Sequence, residues 1–340
     1  MNRENREIVA ALRMEFQAMQ CSRPLKIESE RKLSERLSVG RQRIREVINE
    51  LVAEGLLIKY EGKGTYISPV VKSGFVNLIC SPEIKPNDPF YNRLLMELTT
   101  YAAKHCVNLI SLTLDSLDNG MPSSPMLLIG RFDEEVLQKI QSVFKHIISF
   151  ENYPERDDFT QIYFDHYRIG INAAKLIASY GHKKVIHAAG PEKYASAYYR
   201  KSGFLRGARK YGLEPLVLES KMNFRGGCEL ATQVEELIRT KKCTALFAAN
   251  DWIAIGLIQT LKLKNIDIPG QLSVVGVDNI PLAGEMTPEL TTYSLDANAM
   301  IAECFALLDA VEMNGGLWNF KKVILQPTLI TRDTLTARLN

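Results

Sequence analysis

Residues 29–68, SERKLSERLSVGRQRIREVINELVAEGLLIKYEGKGTYIS, decide how this chain is read. Two short helical patterns stand nearly back to back. The first carries Leu33 and Leu37 on one face, and Val39 falls in the turn. Ile44, Val47, Ile48 and Leu51 then recur at helical spacing. Leu56–Tyr60 and Thr65–Ser68 read as strands, with Glu61-Gly62-Lys63-Gly64 as the tip between them. Upstream, Ile8, Val9, Leu12, Phe16 and Met19 share the apolar side of a helix over 5–20. The pattern predicts a three-helix head with a β-wing. Arg41, Arg43 and Arg45 open the second helix of the pair. An arginine-rich helix is often only a solvated face. Here, however, the cations stand at the helix N-terminus, the end whose dipole disfavours them. An anion from outside the chain, a phosphate or a guanine edge, compensates that placement, and a DNA-reading helix makes its contacts there.

Charge is distributed to match. Residues 1–68 hold 13 Lys+Arg and 10 Asp+Glu, and the remaining residues hold 29 of each, so the chain's surplus of +3 sits in the head. Between Arg23 and Arg45 eight basic residues stand against three acidic ones. A local basic face on an otherwise neutral protein fits double-stranded DNA better than general polyanion binding. The six cysteines, at 21, 80, 106, 228, 243 and 304, form no C-x-x-C pair, and the five histidines do not combine with them at zinc-ligand spacing. They read as small core residues in a reducing compartment. The start, MNRENREIVAALR, is charged and lacks a secretory apolar core, and no run approaches the roughly eighteen apolar residues of a membrane span. The expectation is a cytoplasmic protein with no membrane partner, no metal and no cofactor.

From Phe75 strands and helices alternate. FVNLIC, VNLISLTL, MLLIG, HIISF, IYFD, KVIHAAG, PLVLES, TALFAAN and LSVVGVD read as buried strands, and VILQPTLI as the last. Helical patterns separate them at Tyr91–His105, Glu134–Phe144, 168–180, 197–211, 226–240 and 251–262. The alternation predicts parallel sheets covered by helices on both faces. The strands are too many for one comfortable open sheet, so two lobes with a cleft between them are expected. Ligands of open α/β sheets bind beyond the C-terminal ends of the strands. That rule selects Asn250-Asp251, Asp278-Asn279 and Phe90-Tyr91. Asp251 reads as the helix N-cap of its pair, which leaves Asn250 for ligand. Asp165, near the first crossover, reads equally as a ligand residue or a hinge cap. No phosphate-binding Walker loop and no G-x-G-x-x-G follows a strand, and no Ser-His-Asp or paired-carboxylate set stands out, so an enzyme is not expected.

Two family resemblances sharpen these readings. Ser29-Glu30-Arg31, Leu33, Leu37, Val39, Arg41, Arg45, Leu51, Gly55-Leu56-Leu57 and Gly62-Lys63-Gly64-Thr65-Tyr66 resemble the winged helix-turn-helix of the GntR family. The resemblance implies DNA contacts at Arg31, Arg41, Arg45 and the wing-tip Gly62 and Lys63. The chain departs from the family pattern at Gly40 and Gln42, where hydroxyl residues are usual. The departure weakens helix capping and offers Gln42 to an adenine edge, with Arg43 as a further phosphate contact. The second resemblance covers about Phe75 to Thr334. TALFAANDWIAIGLIQTLKLKNIDIPGQLSVVGVDNIPLAGEMTPELTT, FDHYRIGINAAKLIASYGHKKVIHAAG and the stretch from Arg200 to Phe204 resemble the effector domain of the LacI/GalR repressors. Such domains have a periplasmic-binding-protein fold of two lobes joined by three crossovers.

Carried over by position, that family's ligand contacts fall on Phe90, Tyr91, Arg200, Phe224, Asn250 and Asp278. The front end departs from the LacI pattern, because a GntR-type wing domain replaces the usual head and hinge helix. The combination resembles the arabinose repressors of Gram-positive bacteria. The fold class implied is α/β: a small α+β winged helix-turn-helix domain, then a two-lobed domain with two parallel sheets. The expected divisions are 1–68 for the head, 69–74 for a linker and 75–334 for the effector domain. Within the latter, the N-lobe takes about 75–162 and 292–318, and the C-lobe about 163–291 and 319–334. The resemblances imply a homodimeric, ligand-responsive repressor that reads a pseudo-palindromic operator and binds a small carbohydrate. A purine or other polar effector is the alternative. A sugar-binding transport component would have no use for the head.

Overall fold

A computed structural model describes residues 3–19, 24–60, 62–68, 74–86, 88–313 and 319–338. Residues 69–73 of the expected linker, Glu61 of the wing tip and Cys21 lie outside the described residues. The chain divides into two compact units, Met1–Gly74 with Ala102–Asn108, and Phe75–Tyr101 with Leu109–Asn340.

The first unit begins with α1 (Arg3–Met19), whose Val9, Leu12 and Phe16 are buried. A two-residue strand, β1 (Leu25–Lys26), follows, too short to show any periodicity in the sequence. Then come α2 (Glu30–Leu37) and α3 (Arg41–Ala53). Ser29 caps α2 by accepting the Lys32 N–H at 3.3 Å, and Ser38 ends the helix in the left-handed region at φ 54°. Gly40 stands at the N-cap of α3 and offers no side-chain acceptor, as its missing hydroxyl leads one to expect. β2 (Leu57–Tyr60) and β3 (Gly64–Ile67) form the wing hairpin, and β1 pairs antiparallel with β3 on its far side. Gly62 at φ 70° and Gly64 at φ 109° supply turn conformations that side chains disfavour. Leu33, Ile44, Val47, Ile48, Leu51, Leu57 and Ile67 close the core beside the α1 residues. Burying each such side chain contributes about 1.5–3 kcal/mol.

The second unit contains two six-stranded sheets. The first lobe holds β4 (Phe75–Cys80), β5 (Asn108–Leu112), β6 (Met126–Ile129), β7 (Ile147–Ser149), β8 (Thr160–Phe164) and β14 (Lys322–Leu325). They lie in the order β5-β4-β6-β7-β8-β14, and β4, β6, β7, β8 and β14 run parallel. The second lobe holds β9 (Lys184–Ala189), β10 (Glu214–Glu219), β11 (Ala245–Ala248), β12 (Ser273–Asp278), β13 (Thr291–Ser294) and β15 (Thr328–Ile330). Their order is β10-β9-β11-β12-β13-β15, parallel except for the antiparallel β13–β15 pair. In the first lobe α4 (Pro89–Lys104) and α5 (Glu134–Val143) fall between strands, while α10 (Ala297–Met313) follows β13 and packs on β8. In the second lobe α6 (His166–Ser179), α7 (Ala195–Tyr211), α8 (Phe224–Lys241) and α9 (Asp251–Leu263) alternate with strands.

The chain thus passes between sheets three times: after β8, after β13 and after β14. The third passage corrects the expected boundary near 318. VILQPTLI is two strands rather than one, because Pro327 has no N–H for a ladder; residues 322–325 close the first sheet and 328–330 the second. Asp165 is a hinge-side cap and accepts the Arg168 N–H at 2.9 Å.

Backbone proximity aligns the helices of the second lobe. α6 and α7 touch through glycines: a Cβ on Gly203 would collide with the Tyr167 carbonyl, and one on Gly170 with the Arg200 carbonyl. Underneath, His187 on β9 is fully buried between the rings of Phe204 and Phe247, with Nδ1 3.0 Å from the Phe247 carbonyl and Nε2 unpartnered. Burial holds its pKa down at about 4, against 6.5 for the free side chain. The unfolded chain therefore takes up the proton first as pH falls. The stability associated with neutral His187 is complete above about pH 6.5 and is lost as pH falls towards 4. Urea denaturation of His187→Phe between pH 7 and 4 is expected to show a flatter stability curve, its slope reduced by up to about 1.4 kcal/mol per pH unit. An unchanged slope would show that His187 does not carry this dependence.

Candidate effector cleft and DNA-reading face

In the second unit the C-terminal ends of both sheets face a cavity of about 340 Å³, at the small end of the range for small-molecule sites. Phe90, Tyr91, Arg200, Asn250 and Asp278 all line it. Each is placed by a helix start or strand end. Pro89 opens α4 and Asp88 Oδ1 caps it, accepting from the N–H groups of Phe90 and Tyr91 at 3.1 and 3.3 Å. The two rings stand edge to face, 5.3 Å apart. Tyr91 donates its hydroxyl to Glu151 Oε1 at 2.8 Å. Glu151 directly follows strand HIISF, so the rule that selected Asp278 also selects it, and it is a residue the sequence reading missed.

Arg200, 3% exposed, is the densest node of the site. Its Nη1 donates to the Ala249 carbonyl, Nε to His166 Nδ1 at 3.3 Å, and Nη2 to Asp278 Oδ1 at 3.5 Å. Burial, reinforced by the adjacent guanidinium, pushes the His166 pKa well down, so the imidazole is neutral and accepts. Burial raises the carboxyls of Asp278, Glu151 and Asp88, against the opposing pull of Arg200 on the first two. The wall therefore sets buried carboxyl groups, costly to leave unpaired, beside the Arg200 guanidinium.

Two expectations change here. Asn250, not Asp251, is the N-cap of α9: its Oδ1 accepts the Ile253 N–H at 3.0 Å. Asn250 also lines the cavity. Asp251 lies instead in the core at 0% exposure. Phe224 does not line the cavity. Asn223 caps α8 at 2.8 Å from the Gly226 N–H, and Phe224, the first helical residue, packs edge-on against Trp252 at 5.8 Å. Met222 and Asn223 occupy the wall where Phe224 was expected.

On the head, Arg31, Arg41, Gln42 and Arg45 are exposed, Arg43 is half-buried and engaged, and Gly62 and Lys63 are exposed at the wing tip. Arg45 Nε meets Glu30 Oε2 and Arg31 Nε meets Glu35 Oε1, each at 3.1 Å. Arg41 makes no ion pair among the described residues. Exposed pairs of this kind are worth about 0–1 kcal/mol, so an incoming phosphate displaces them at little cost. Lys59 Nζ donates to Asn49 Oδ1 at 2.7 Å and ties the wing to α3. Among the described residues no His/Cys/Asp/Glu group could hold a metal, and no helix is long and apolar enough to cross a membrane.

Known proteins match both units. Residues 5–67 match the profile of the bacterial regulatory proteins of the gntR family, and residues 174–335 that of the periplasmic binding protein-like domain. The HTH-type transcriptional regulator DegA of Bacillus subtilis is 31% identical over 183 residues, 53% of this chain and 52% of that protein. The HTH-type regulator GalS of Salmonella typhimurium is 32% identical over 173 residues, 49% of each chain. The chain thus spans about half the length of these two curated relatives. The HTH-type repressor CytR of Escherichia coli is 26% identical over 245 residues, 66% of this chain and 70% of its own. Among solved structures, a LacI family transcriptional regulator from Enterococcus faecium with bound ribose superimposes with a TM-score of 0.68 at 18% identity, covering 78% of this chain and all of that one. A periplasmic binding protein/LacI transcriptional regulator from Alkaliphilus metalliredigens complexed with D-xylulofuranose gives 0.65 at 23% identity, over 77% of this chain and 99% of that one. At these identities the likeness concerns the fold. The chain thus joins a helix-turn-helix domain that matches the gntR family over residues 5–67 to a periplasmic binding protein-like domain that matches over residues 174–335.

Proposed function

We propose that this chain is a ligand-responsive DNA-binding transcription regulator, a homodimeric repressor whose hold on its operator changes when a small sugar-like molecule occupies the cleft. The observation that carries the reading is the presence, in one polypeptide, of a gntR-type head and a polar, ligand-sized cavity at the strand ends of a two-lobed domain. Coupling between two such sites typically amounts to about 1–3 kcal/mol, or roughly 5–150-fold in affinity. The three curated relatives named above, each an HTH-type regulator or repressor, support the reading.

Cavity chemistry supports an uncharged polyol as effector. Asp88, Glu151 and Asp278 offer acceptors to hydroxyl donors, Arg200 and Asn250 return donors, and Phe90 and Tyr91 supply apolar faces for a ring. Glu83 adds a fourth carboxylate, and Lys85, Arg131, Lys193 and Lys221 bring the lining cations to five, so the cavity carries no strong excess of charge to recruit a phosphate. A thermal-shift screen of free pentoses and hexoses against their phosphates tests this, since a bound ligand raises the midpoint by mass action. On the head, Arg41 reads a base, Arg31 and Arg45 hold phosphate or guanine, Gln42 and Arg43 adjust the sequence preference, and Gly62 and Lys63 bring the wing to the backbone.

Arg41→Ala is expected to weaken operator binding by about 1–3 kcal/mol in a gel-shift titration, and unchanged binding would remove Arg41 from the reading surface. Asp278→Ala should bind operator as the parent does yet no longer respond to the sugar that stabilises the parent. A variant that still responds would place the effector elsewhere. Light scattering at micromolar concentration should give twice the 38.3 kDa chain mass. A monomer would refute the dimer.

A further inference from the structure

The strand-end segment that carries Asp278 has an unusual backbone with an identifiable cause. Asp278 and Asn279, consecutive and neither a glycine, have φ of 116° and 55°. Residues in these regions persist only where the surroundings hold them. What holds them is Asp251. Its Oδ1 accepts the Thr292 hydroxyl at 2.6 Å, its Oδ2 accepts the Ile280 N–H at 3.0 Å, and the Asn279 N–H also donates to the carboxylate. Gly276 leaves the space for it: a Cβ there would collide with Asp251 Oδ1. The turned segment then points two ways. Asp278 lines the cavity beside Arg200. The Asn279 carbonyl accepts from Arg93 Nη1 on α4, in the other lobe, at 3.4 Å, while its side chain is held by Arg332 Nη2 at 2.8 Å and donates to Ser294 Oγ at 3.4 Å.

We propose that Asp251 is the positioning residue of the cleft: its buried carboxylate fixes the 278–280 turn, and so sets the Asp278 carboxylate towards ligand and the Asn279 carbonyl towards Arg93 of the opposite lobe. The ligand half of this statement rests on the reading of the cavity as the effector site. Asp251 itself touches no ligand. It converts one strand end into a joint between cavity and opposite lobe, because any shift of Asp278 moves the next carbonyl as well. An asparagine at 251 keeps the volume but replaces one acceptor with a donor that opposes the N–H and O–H groups around it.

The test uses the full chain and three variants, Asp251→Asn, Thr292→Val and Arg93→Met. Amide hydrogen exchange is followed on peptides covering 277–283 and 89–96, with β9 as internal control, and thermal midpoints are measured with and without D-ribose and L-arabinose as probes. Exchange over 277–283 is expected to rise about tenfold or more in Asp251→Asn, and less in Thr292→Val, with β9 unchanged. Peptide 89–96 should loosen in the same two variants and in Arg93→Met. The midpoint rise given by either pentose should disappear in Asp251→Asn while the unliganded midpoint moves far less. Parent-like exchange over 277–283 in both Asp251→Asn and Thr292→Val overturns the proposal. Faster exchange with an undiminished pentose response overturns the positioning role. Should Asp251→Asn fail to fold, Thr292→Val decides both points. If neither pentose moves the parent's midpoint, the pentose reading of the cavity fails, and the proposal is then judged on the exchange of 277–283 and 89–96 alone.

Discussion

A buried guanidinium organises the second unit. Arg200 joins the end of β11 through the Ala249 carbonyl, the end of β12 through Asp278 and the first crossover through His166. A permanent cation at 3% exposure is tolerated only because each of its edges meets an acceptor. His166 stays neutral and accepts, while at Asp278 the guanidinium opposes the burial that pushes the carboxyl well up. The arrangement also depends on backbone spacing. Gly170 and Gly203 let α6 and α7 approach until the Arg200 turn sits over the strand ends, and a methyl group at either position would push the guanidinium away from its partners.

Much of this was legible in the sequence, and the parts that were not have physical reasons. Strand and helix alternation announced two sheets because parallel strands buried on both faces read as unbroken apolar runs. β13 escaped notice because Thr291-Thr292-Tyr293-Ser294 is polar, its hydroxyls serving Asp251 and the Arg332 backbone inside the core. α10 hid for the opposite reason: ANAMIAECFALL is apolar on too many sides to show a helical stripe, and it was not recognised as an element. At the cleft, the rule of polar residues after strands found Asn250 and Asp278. It could not apportion Asn250 and Asp251, since either side chain caps a helix equally well; partners distant in sequence, the Thr292 hydroxyl and the Ile280 N–H, draw Asp251 inward. Phe224 falls outside the cavity lining because one residue of register separates the wall at Asn223 from the side packed on the core.

The head was read more completely, because all its information is local. Heptad-like spacing, a capping serine and paired glycines act within a few residues of one another, and the apolar residues quoted from 33 to 51 line the core or pack against it. What periodicity cannot register is that Glu30 and Glu35 occupy Arg45 and Arg31 in the unbound head. Arg31 and Arg45 are thus paired on the exposed face, whereas Arg41 beside them makes no ion pair among the described residues.

The split of the last apolar run at Pro327 has a consequence for how the molecule comes into being. β14 closes the first sheet and β15 the second, so the edge of each lobe is supplied by residues made about 140 or more positions after that lobe's first strand. The strands and helices of the head are all made within the first 68 residues, whereas the first lobe lacks its edge until residues 322–325 are made and the second until 328–330. Through that interval β8 and β13 stand as unpaired sheet edges, which makes the nascent second unit the part of the chain most exposed to mispairing and to capture by chaperones. The same interlacing means that no single cut of the chain can release one lobe intact.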